Sequence, residues 1–233
     1  MKVAVVSKDK RACSLLKRLV AQYGFSYDEK KPDVVVTYGG DGTLLHAERV
    51  YPGVPKLPIR GGVSVCHHCH DHPLRHALDS LKRRLFKKIG ADKLEIRATS
   101  GKKKVASISL NDCIVRNAHL GSAIRYDVLV DGTVVAANVI GDGVVVSTAY
   151  GSTAYFQSIT KRSFSKGVGV AFNNTTRLCK HLVLPASSVV TVRLTRGPAE
   201  VAADNLQLPV VLNAGDTVTA RLSSRKSAIL RPQ

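Results

Sequence analysis

Apolar and polar positions follow two different periods along this chain of 233 residues, and the change of period divides it. Val3 to Val6 and Val34 to Thr37 are unbroken apolar runs of the kind that become buried strands. Ala12, Leu15, Leu16, Leu19 and Val20 recur at helical spacing and stop near Tyr23-Gly24. A second helix is predicted just past Gly39-Gly40, with Leu44, Leu45, Ala47 and Val50 on its apolar side. Tyr51-Pro52-Gly53-Val54-Pro55 then turns the chain into a short strand around Leu57 to Ile59. Leu74, Leu78, Leu81 and Leu85 predict a third helix ending at Ile89-Gly90. Strand and helix in alternation imply parallel strands covered by helices, an α/β domain over residues 1–90.

Beyond Gly90 the pattern shortens to alternating segments: Leu94 to Ala98, Val105 to Leu110, Ile124 to Val130 and Thr133 to Ile140. Asp131-Gly132 between the last two is a hairpin signal, because both turn positions favour residues that tolerate positive φ. Further strands are expected at Leu182 to Leu184, Val189 to Leu194, Glu200 to Ala203 and Val218 to Leu222, with one short helix after Gly151-Ser152. Residues 91–233 therefore read as a β-rich, antiparallel, sandwich-like domain. No internal repeat and no low-complexity linker interrupts either part.

An apolar content of 44% is enough for a sizeable core, and no run approaches the length of a membrane span. Met1 to Val6 reads as a strand rather than a secretory signal, so a cytoplasmic protein is expected. Five cysteines, three of them isolated, do not form a disulfide framework and are expected to be reduced. The formal charge of +18 implies attraction to polyanions: nucleotide, polyphosphate or nucleic acid. Much of the excess lies between Arg75 and Lys104.

Gly39-Gly40-Asp41-Gly42-Thr43 falls between a predicted strand and a predicted helix. Glycines there allow approaches that a Cβ blocks, and a helix start turns N–H groups toward an anion. Asp41 repels phosphate directly, so it suits taking a proton from a hydroxyl or holding a cation. The plainer reading is a glycine turn closed by an Asp that caps the next helix.

Three further segments stand out: Leu110-Asn111-Asp112-Cys113-Ile114-Val115, read as a strand ending on the amide and carboxylate; Gly141-Asp142-Gly143 leading into an apolar strand; and Gly151-Ser152-Thr153-Ala154-Tyr155. In this order and spacing they resemble the NAD kinase family over residues 34–158. The resemblance implies a Rossmann-like first domain, a β-rich dinucleotide-binding second domain, and phosphorylation of the adenosine 2′-hydroxyl of NAD. It also implies ATP or polyphosphate as donor, a divalent cation such as Mg²⁺, and a homodimer or homotetramer.

By matching positions, the resemblance makes Asp41 the base, with Gly40 and Gly42 beside phosphate and His46 near it. Asn111 reads the adenosine, and Asp112 stands where the family usually has Glu on the ribose. Asp142 approaches the nicotinamide end, in some members from a neighbouring subunit. Thr153, Ala154, Tyr155 and Ser158 bind the dinucleotide, and Gln207 matches a binding Gln. Structural alternatives stay open for each: Asn111 and Asp112 as the close of a strand end through local amides, Asp142 as a turn residue, Thr153 as a helix cap, Tyr155 as core, and His46 as a plain surface residue.

Where the family carries a second glycine-rich segment, this chain has Arg60-Gly61-Gly62 followed by a Cys- and His-rich stretch. Cys66, Cys69, His72 and His76 are a conceivable metal set there, with spacing tighter than a usual zinc finger. The competing functions are a non-catalytic nucleotide or nucleic-acid binder on the same fold, and a lipid or sugar kinase sharing the glycine loop. The cations around Lys82 to Lys88 make polyphosphate plausible as donor.

Overall fold

The computed structural model describes residues 1–61, Cys69 and 73–233. Two compact units are distinguished, Met1–Ala91 with Arg225–Gln233, and Asp92–Ser224. The last nine residues, assigned from the sequence to the second domain, thus belong to the first unit.

In the first unit β1 (Lys2–Val6), β2 (Ser26–Tyr27), β3 (Val34–Gly39) and β4 (Lys56–Arg60) pair in parallel in the order β2-β1-β3-β4. Both faces of this sheet are covered, which is why its strands read as continuous apolar runs. On one face α1 (Lys10–Gln22) brings Leu16, Leu19 and Val20 against Val3, Val5, Val34 and Val36. On the other, Ala47 of α2 (Asp41–Val50) packs on Ala4 and Val35. Asp9 caps α1, accepting from the N–H groups of Arg11 at 2.8 Å and Ala12 at 3.3 Å.

α3 (Leu74–Arg83) joins the first face through Ala77, Leu78 and Leu81, but it stops short of the expected Ile89-Gly90. Arg84 takes a left-handed conformation, φ 59°, and its N–H closes the helix on the carbonyls of Ser80 and Leu81. Leu85 is consequently exposed, and the chain enters β5 (Phe86–Ser100).

The second unit is a sandwich. β5 pairs with β6 (Lys103–Ser109) from Leu94 onward. One sheet places β8 (Ile124–Val130) between β9 (Thr133–Gly141) and β13 (Val189–Arg196), which in turn pairs with the first part of β16 (Thr217–Pro232). The other runs β12 (Leu182–Leu184), β11 (Val168–Asn173), β10 (Gly143–Thr148), β7 (Asp112–Asn117), β14 (Ala199–Ala203), β15 (Leu206–Leu212), antiparallel throughout. Tyr126, Val128, Val190 and Val192 of the first sheet share a core with Val115, Val144, Val146 and Val201 of the second. Asp131 and Gly132, at φ 50° and 84°, make the two-residue turn between β8 and β9. β10 is buried along its whole length because Val145, on its outer side, packs under Phe156 of α4 (Tyr155–Thr160).

β16 continues past Ser224 into the first unit, where Ile229 pairs in parallel with Lys56 of β4 and Leu230 enters the core with Val34 and Leu81. Among the described residues no helix is long and apolar enough to cross a membrane.

Candidate active site

In the first unit the glycine segment joins β3 to α2. The helix N-cap is Gly40, which supplies no capping side chain, and Asp41 is the first helical residue. This removes the plainer reading of Asp41 as the cap, and Gly40 itself brings no side-chain acceptor to the N–H groups of the first turn. Gly39 has no room for a side chain, since a Cβ would lie 3.1 Å from Thr43 Cβ and closer still to its hydroxyl. Its carbonyl accepts from the Gly61 N–H at 3.2 Å, which ties the ends of β3 and β4 together. Asp41 is half-buried. α2 is fixed from behind by a buried ion pair of Glu48 and Lys56, to which Ser227 Oγ donates at 2.6 Å through Glu48.

Gly39, Gly40, Gly42 and Thr43 line a cavity of about 790 Å³, together with Ser7, Lys8, Asp9 and the Arg11, Leu15, Arg18 face of α1. Arg11 and Arg18 are seven residues apart on one helix face, roughly 10 Å along the axis. Lys8, Arg11 and Arg18 have no ion-pair partner among the described residues, and sequence reasoning overlooked all three. Their signal was available: two cations at helical spacing following a strand parallel to that of the glycine loop. The first unit as a whole carries 20 of the Lys and Arg side chains against 8 Asp and Glu, which gives it +12 of the chain's +18.

Lys82 and Arg84 line a different cavity, beside Met1, Asp33 and Val34 at the starting ends of β1 and β3. The glycine segment lies at the finishing ends of the same parallel strands. Lys82 and Arg84 therefore line a cavity other than that of the glycine segment, which gives no support to the link drawn from the sequence between this group of cations and the donor. His46 is exposed, rests against Arg49 with 3.2 Å between Nδ1 and Nη2, and is not among the residues lining the glycine cavity.

Of the conceivable metal set, Cys66 and His72 lie outside the described residues. Cys69 is disulfide-bonded, which departs from the expectation of reduced cysteines and withdraws its thiolate as a ligand. His76 lies on α3.

In the second unit Asn111 and Asp112 stand at the start of β7, not at the end of a strand as expected, and both are 4% exposed. The backbone around them is held on every side. The Leu110 carbonyl accepts from Thr148 Oγ1 at 2.8 Å, and the Asn111 carbonyl from the Thr148 N–H at 2.9 Å and Ser147 Oγ at 3.3 Å. The N–H groups of Leu110, Asn111 and Asp112 all donate to the carboxylate of Asp204. Asn111 Oδ1, by contrast, is buried without a hydrogen-bond partner among the described residues. A buried amide oxygen left bare costs stability and is a natural acceptor for a ligand donor. The Asp112 carboxyl is pushed up to about 8, first by burial and then by the charge of Asp204.

Gly151 and Ser152 belong to a 3-10 turn, Tyr150–Thr153, that packs onto Asn111, with the Gly151 N–H donating to Thr148 Oγ1 at 2.9 Å. Ala154 is the N-cap of α4 and brings no side-chain cap, so Thr153 does not cap that helix. Ser158 is exposed and donates to the Tyr155 carbonyl at 2.8 Å. Tyr155 is half-buried, packs against the cluster of Val145, Phe156 and Ala171, and lines a cavity of about 130 Å³ with Gln207, Arg116 and Glu200. The structure thus seats Gly151 on the backbone of Asn111, next in chain to Asp112, and separately brings Tyr155 to Gln207.

Asp142 stands apart. It precedes β10 beside the Gly143–Arg116 pair, whereas Asp112 pairs with Ser147 at the other end, roughly 17 Å away at the usual strand rise. Its carboxylate accepts from Asn174 Nδ2 at 2.8 Å.

Comparison with known proteins bears on this arrangement. The family model described as the ATP-NAD kinase C-terminal domain matches residues 110–231, more than half of the chain. An NAD kinase of Gemmatimonas aurantiaca is 30% identical over 211 residues, covering 85% of this chain and 72% of its own. That of Sulfurisphaera tokodaii is 26% identical over 226 residues, covering 93% and 88%. A crystal structure of yeast NADH kinase complexed with NADH superposes with TM-score 0.82 at 17% identity, covering all of this chain and 84% of the other. An NAD kinase from Archaeoglobus fulgidus in complex with ATP gives 0.78 at 19%, covering all of this chain and 94% of the other. The two likenesses establish the same fold, and the matched residues contain the buried Asn111-Asp112 pair and the turn seated on it. The chain belongs to the NAD kinase family.

Proposed function

We propose that this chain transfers the γ-phosphoryl group of ATP to the adenosine 2′-hydroxyl of NAD, producing NADP and ADP. As a family member it is a phosphotransferase, and neither a non-catalytic binder nor a lipid or sugar kinase is favoured. The observation that carries the reading is the uncapped start of α2, opening with Lys8, Arg11 and Arg18 on one cavity. Backbone N–H groups and three cations suit a triphosphate, and they stabilise charge spread over a loose transition state.

In the proposed step the 2′-oxygen forms a bond to the γ-phosphorus, the bond from that phosphorus to the β,γ-bridging oxygen breaks, and the hydroxyl proton passes to Asp41. Gly40 and Gly42 leave space for the moving phosphoryl group against the backbone. His46, exposed beside Arg49, would meet only the outer phosphate charge. Asn111 and Asp112 bind the adenosine portion: Asn111 Oδ1 takes a hydrogen bond from it, and Asp112, neutral near pH 7, donates one. Thr153, Ala154, Tyr155 and Ser158 complete the dinucleotide surface, with Gln207 beside Tyr155.

Among the described residues no group of three or more His, Cys, Asp or Glu side chains is placed to hold a metal. A magnesium ion arriving on donor phosphates does not need such a cage, since it keeps most of its oxygen ligands as water and phosphate. The residue that fits it is Asp9, which lines the cavity and caps α1 through Oδ1, with Oδ2 unengaged among the described residues and suited to a cation. Bound there, the ion would neutralise phosphate charge.

The distance of Asp142 from Asn111 supports a homo-oligomer, a dimer or tetramer in the cytoplasm, in which Asp142 serves the nicotinamide end of a dinucleotide held by another subunit. A second donor, inorganic polyphosphate, is favoured by the row of Arg11 and Arg18, which extends the cationic surface along α1. The test is incubation of purified protein with NAD, ATP and Mg²⁺ and detection of NADP, with Asp41→Asn alongside. Product from the unaltered chain and a loss of two orders of magnitude or more in the variant is expected, at about the weight of a general base. No product from either would overturn the reading.

A further inference from the structure

Asp204 lies in the two-residue turn between β14 and β15, at φ 54°, a left-handed conformation that Asp tolerates better than most residues. Its carboxylate collects three consecutive backbone N–H groups: Leu110 to Oδ2 at 2.9 Å, Asn111 to Oδ1 at 2.7 Å and Asp112 to Oδ1 at 3.3 Å. Its own N–H returns a bond to the Asp112 carbonyl at 2.9 Å. Three successive amides converging on one carboxylate is an arrangement that neither a strand nor a helix supplies, because successive N–H groups in a strand point to opposite edges. The carboxylate therefore bends the backbone at the head of β7.

With the carbonyls of Leu110 and Asn111 engaged by Ser147 and Thr148, every backbone polar group from Leu110 N to Asp112 O has a partner. The side chains differ, Asn111 Oδ1 being buried and without a partner among the described residues. The segment is thus rigid in its backbone and open in its recognition groups, as preorganised binding requires.

We propose that Asp204 is a positioning residue for the dinucleotide: its carboxylate clamps the backbone of Leu110, Asn111 and Asp112, so that the Asn111 and Asp112 side chains meet the adenosine end of NAD already oriented. This rests on the functional reading above and adds a residue that touches no substrate. Loss of the clamp frees three buried N–H groups and lets the dipeptide rotate, so the penalty falls on NAD and spares the donor, whose cavity is built from other residues.

The experiment compares the unaltered chain with Asp204→Ala and Asp204→Asn, measuring NAD binding by calorimetry, KM for NAD and for ATP, kcat and thermal stability. Asp204→Ala is expected to raise both Kd and KM for NAD by about 10- to 100-fold, the cost of several lost charge-assisted hydrogen bonds, with KM for ATP within about twofold. Asp204→Asn keeps an acceptor oxygen and should recover part of the loss. If the Ala variant fails to fold, the Asn variant decides: weakening of NAD but not ATP binding by about threefold or more supports the clamp. Unchanged Kd and KM for NAD, or a fall in kcat alone with both KM values kept, would overturn it. Turnover by the unaltered chain separates this failure from failure of the kinase reading, and absence of NAD binding by that chain sinks both.

Discussion

Gly151 is seated on the backbone of Asn111, so that a Cβ added to Gly151 would stand 2.5 Å from Asn111 Cα and 2.6 Å from its carbonyl carbon. The atoms in the way are main chain and cannot swing aside like a long side chain. Gly151→Ala is therefore expected to destabilise the chain by about 1–3 kcal/mol, as overpacking commonly does, and to displace Asn111. Urea unfolding with NAD titration checks both effects, and a variant of unaltered stability and affinity would mean the turn is free to move.

Asp41→Asn keeps the shape and a helix-compatible side chain but removes the proton acceptor. NADP formation should fall by about 10²–10⁴ while NAD affinity stays within a few-fold, the split expected for a group that acts mainly in the transition state. A fall in affinity equal to the fall in rate would make Asp41 a binding residue instead.

The two cationic cavities of the first unit should behave differently. Arg11→Gln and Arg18→Gln are each expected to raise KM for ATP about fivefold, near 1 kcal/mol per exposed charge pair, with a larger effect at low salt. Lys82→Gln and Arg84→Gln should leave KM for ATP and NAD unchanged. Steady-state kinetics at two ionic strengths tests the pairing, and the reverse pattern would return the donor to the Lys82 side.

Burial, and then the charge of Asp204, raise the Asp112 carboxyl from 3.8 to about 8 in the folded chain. Between those values the folded chain holds one more proton than the unfolded chain. Stability through this group therefore declines as pH rises, by about 1.4 kcal/mol per pH unit, and levels off above 8. Asp112→Asn lacks that slope, so its stability relative to the unaltered chain should improve steadily from pH 5 to 8. A difference independent of pH, in parallel unfolding titrations, would show that Asp112 is already ionised.

The buried pair behind α2 gives a fifth prediction. Lys56→Met strands Glu48 without its cation, and removal of one partner from a buried pair costs about 3–5 kcal/mol. Combining it with Glu48→Leu should restore much of the loss, a non-additivity that denaturant titration of the three variants measures directly.

The first unit was readable because its strands are buried on both faces and its helices on one, so period alone separates them; Val34 to Thr37 and the Ala12 to Val20 stripe are examples. The third helix was overextended because Leu85 continues the spacing of Leu74, Leu78 and Leu81, while Arg84, in a position where glycine is usual, gives no warning in sequence. β11 and β15 went unforeseen. Gly167-Val-Gly-Val-Ala-Phe and Leu206-Gln-Leu-Pro-Val-Val-Leu carry Gly or Pro, which count against strands until a partner is known. At the site, the glycine loop and the Gly151 turn were legible because backbone proximity demands glycine. Asp204 was not, since a carboxylate 92 residues from the amide it binds leaves no local pattern.

The return of β16 has a consequence for how the protein is made. Lys56, paired in parallel with Val35 of β3 on one side, gains its neighbour on the other side from Ile229, and Leu230 joins the core that holds Val34 and Leu81. On a translating ribosome the earliest segment would thus wait, incomplete, through the synthesis of nearly everything that follows, and closing so long a loop is slow. A nascent chain stalled before Ile229 would keep one edge of its oldest sheet open to chaperones and proteases.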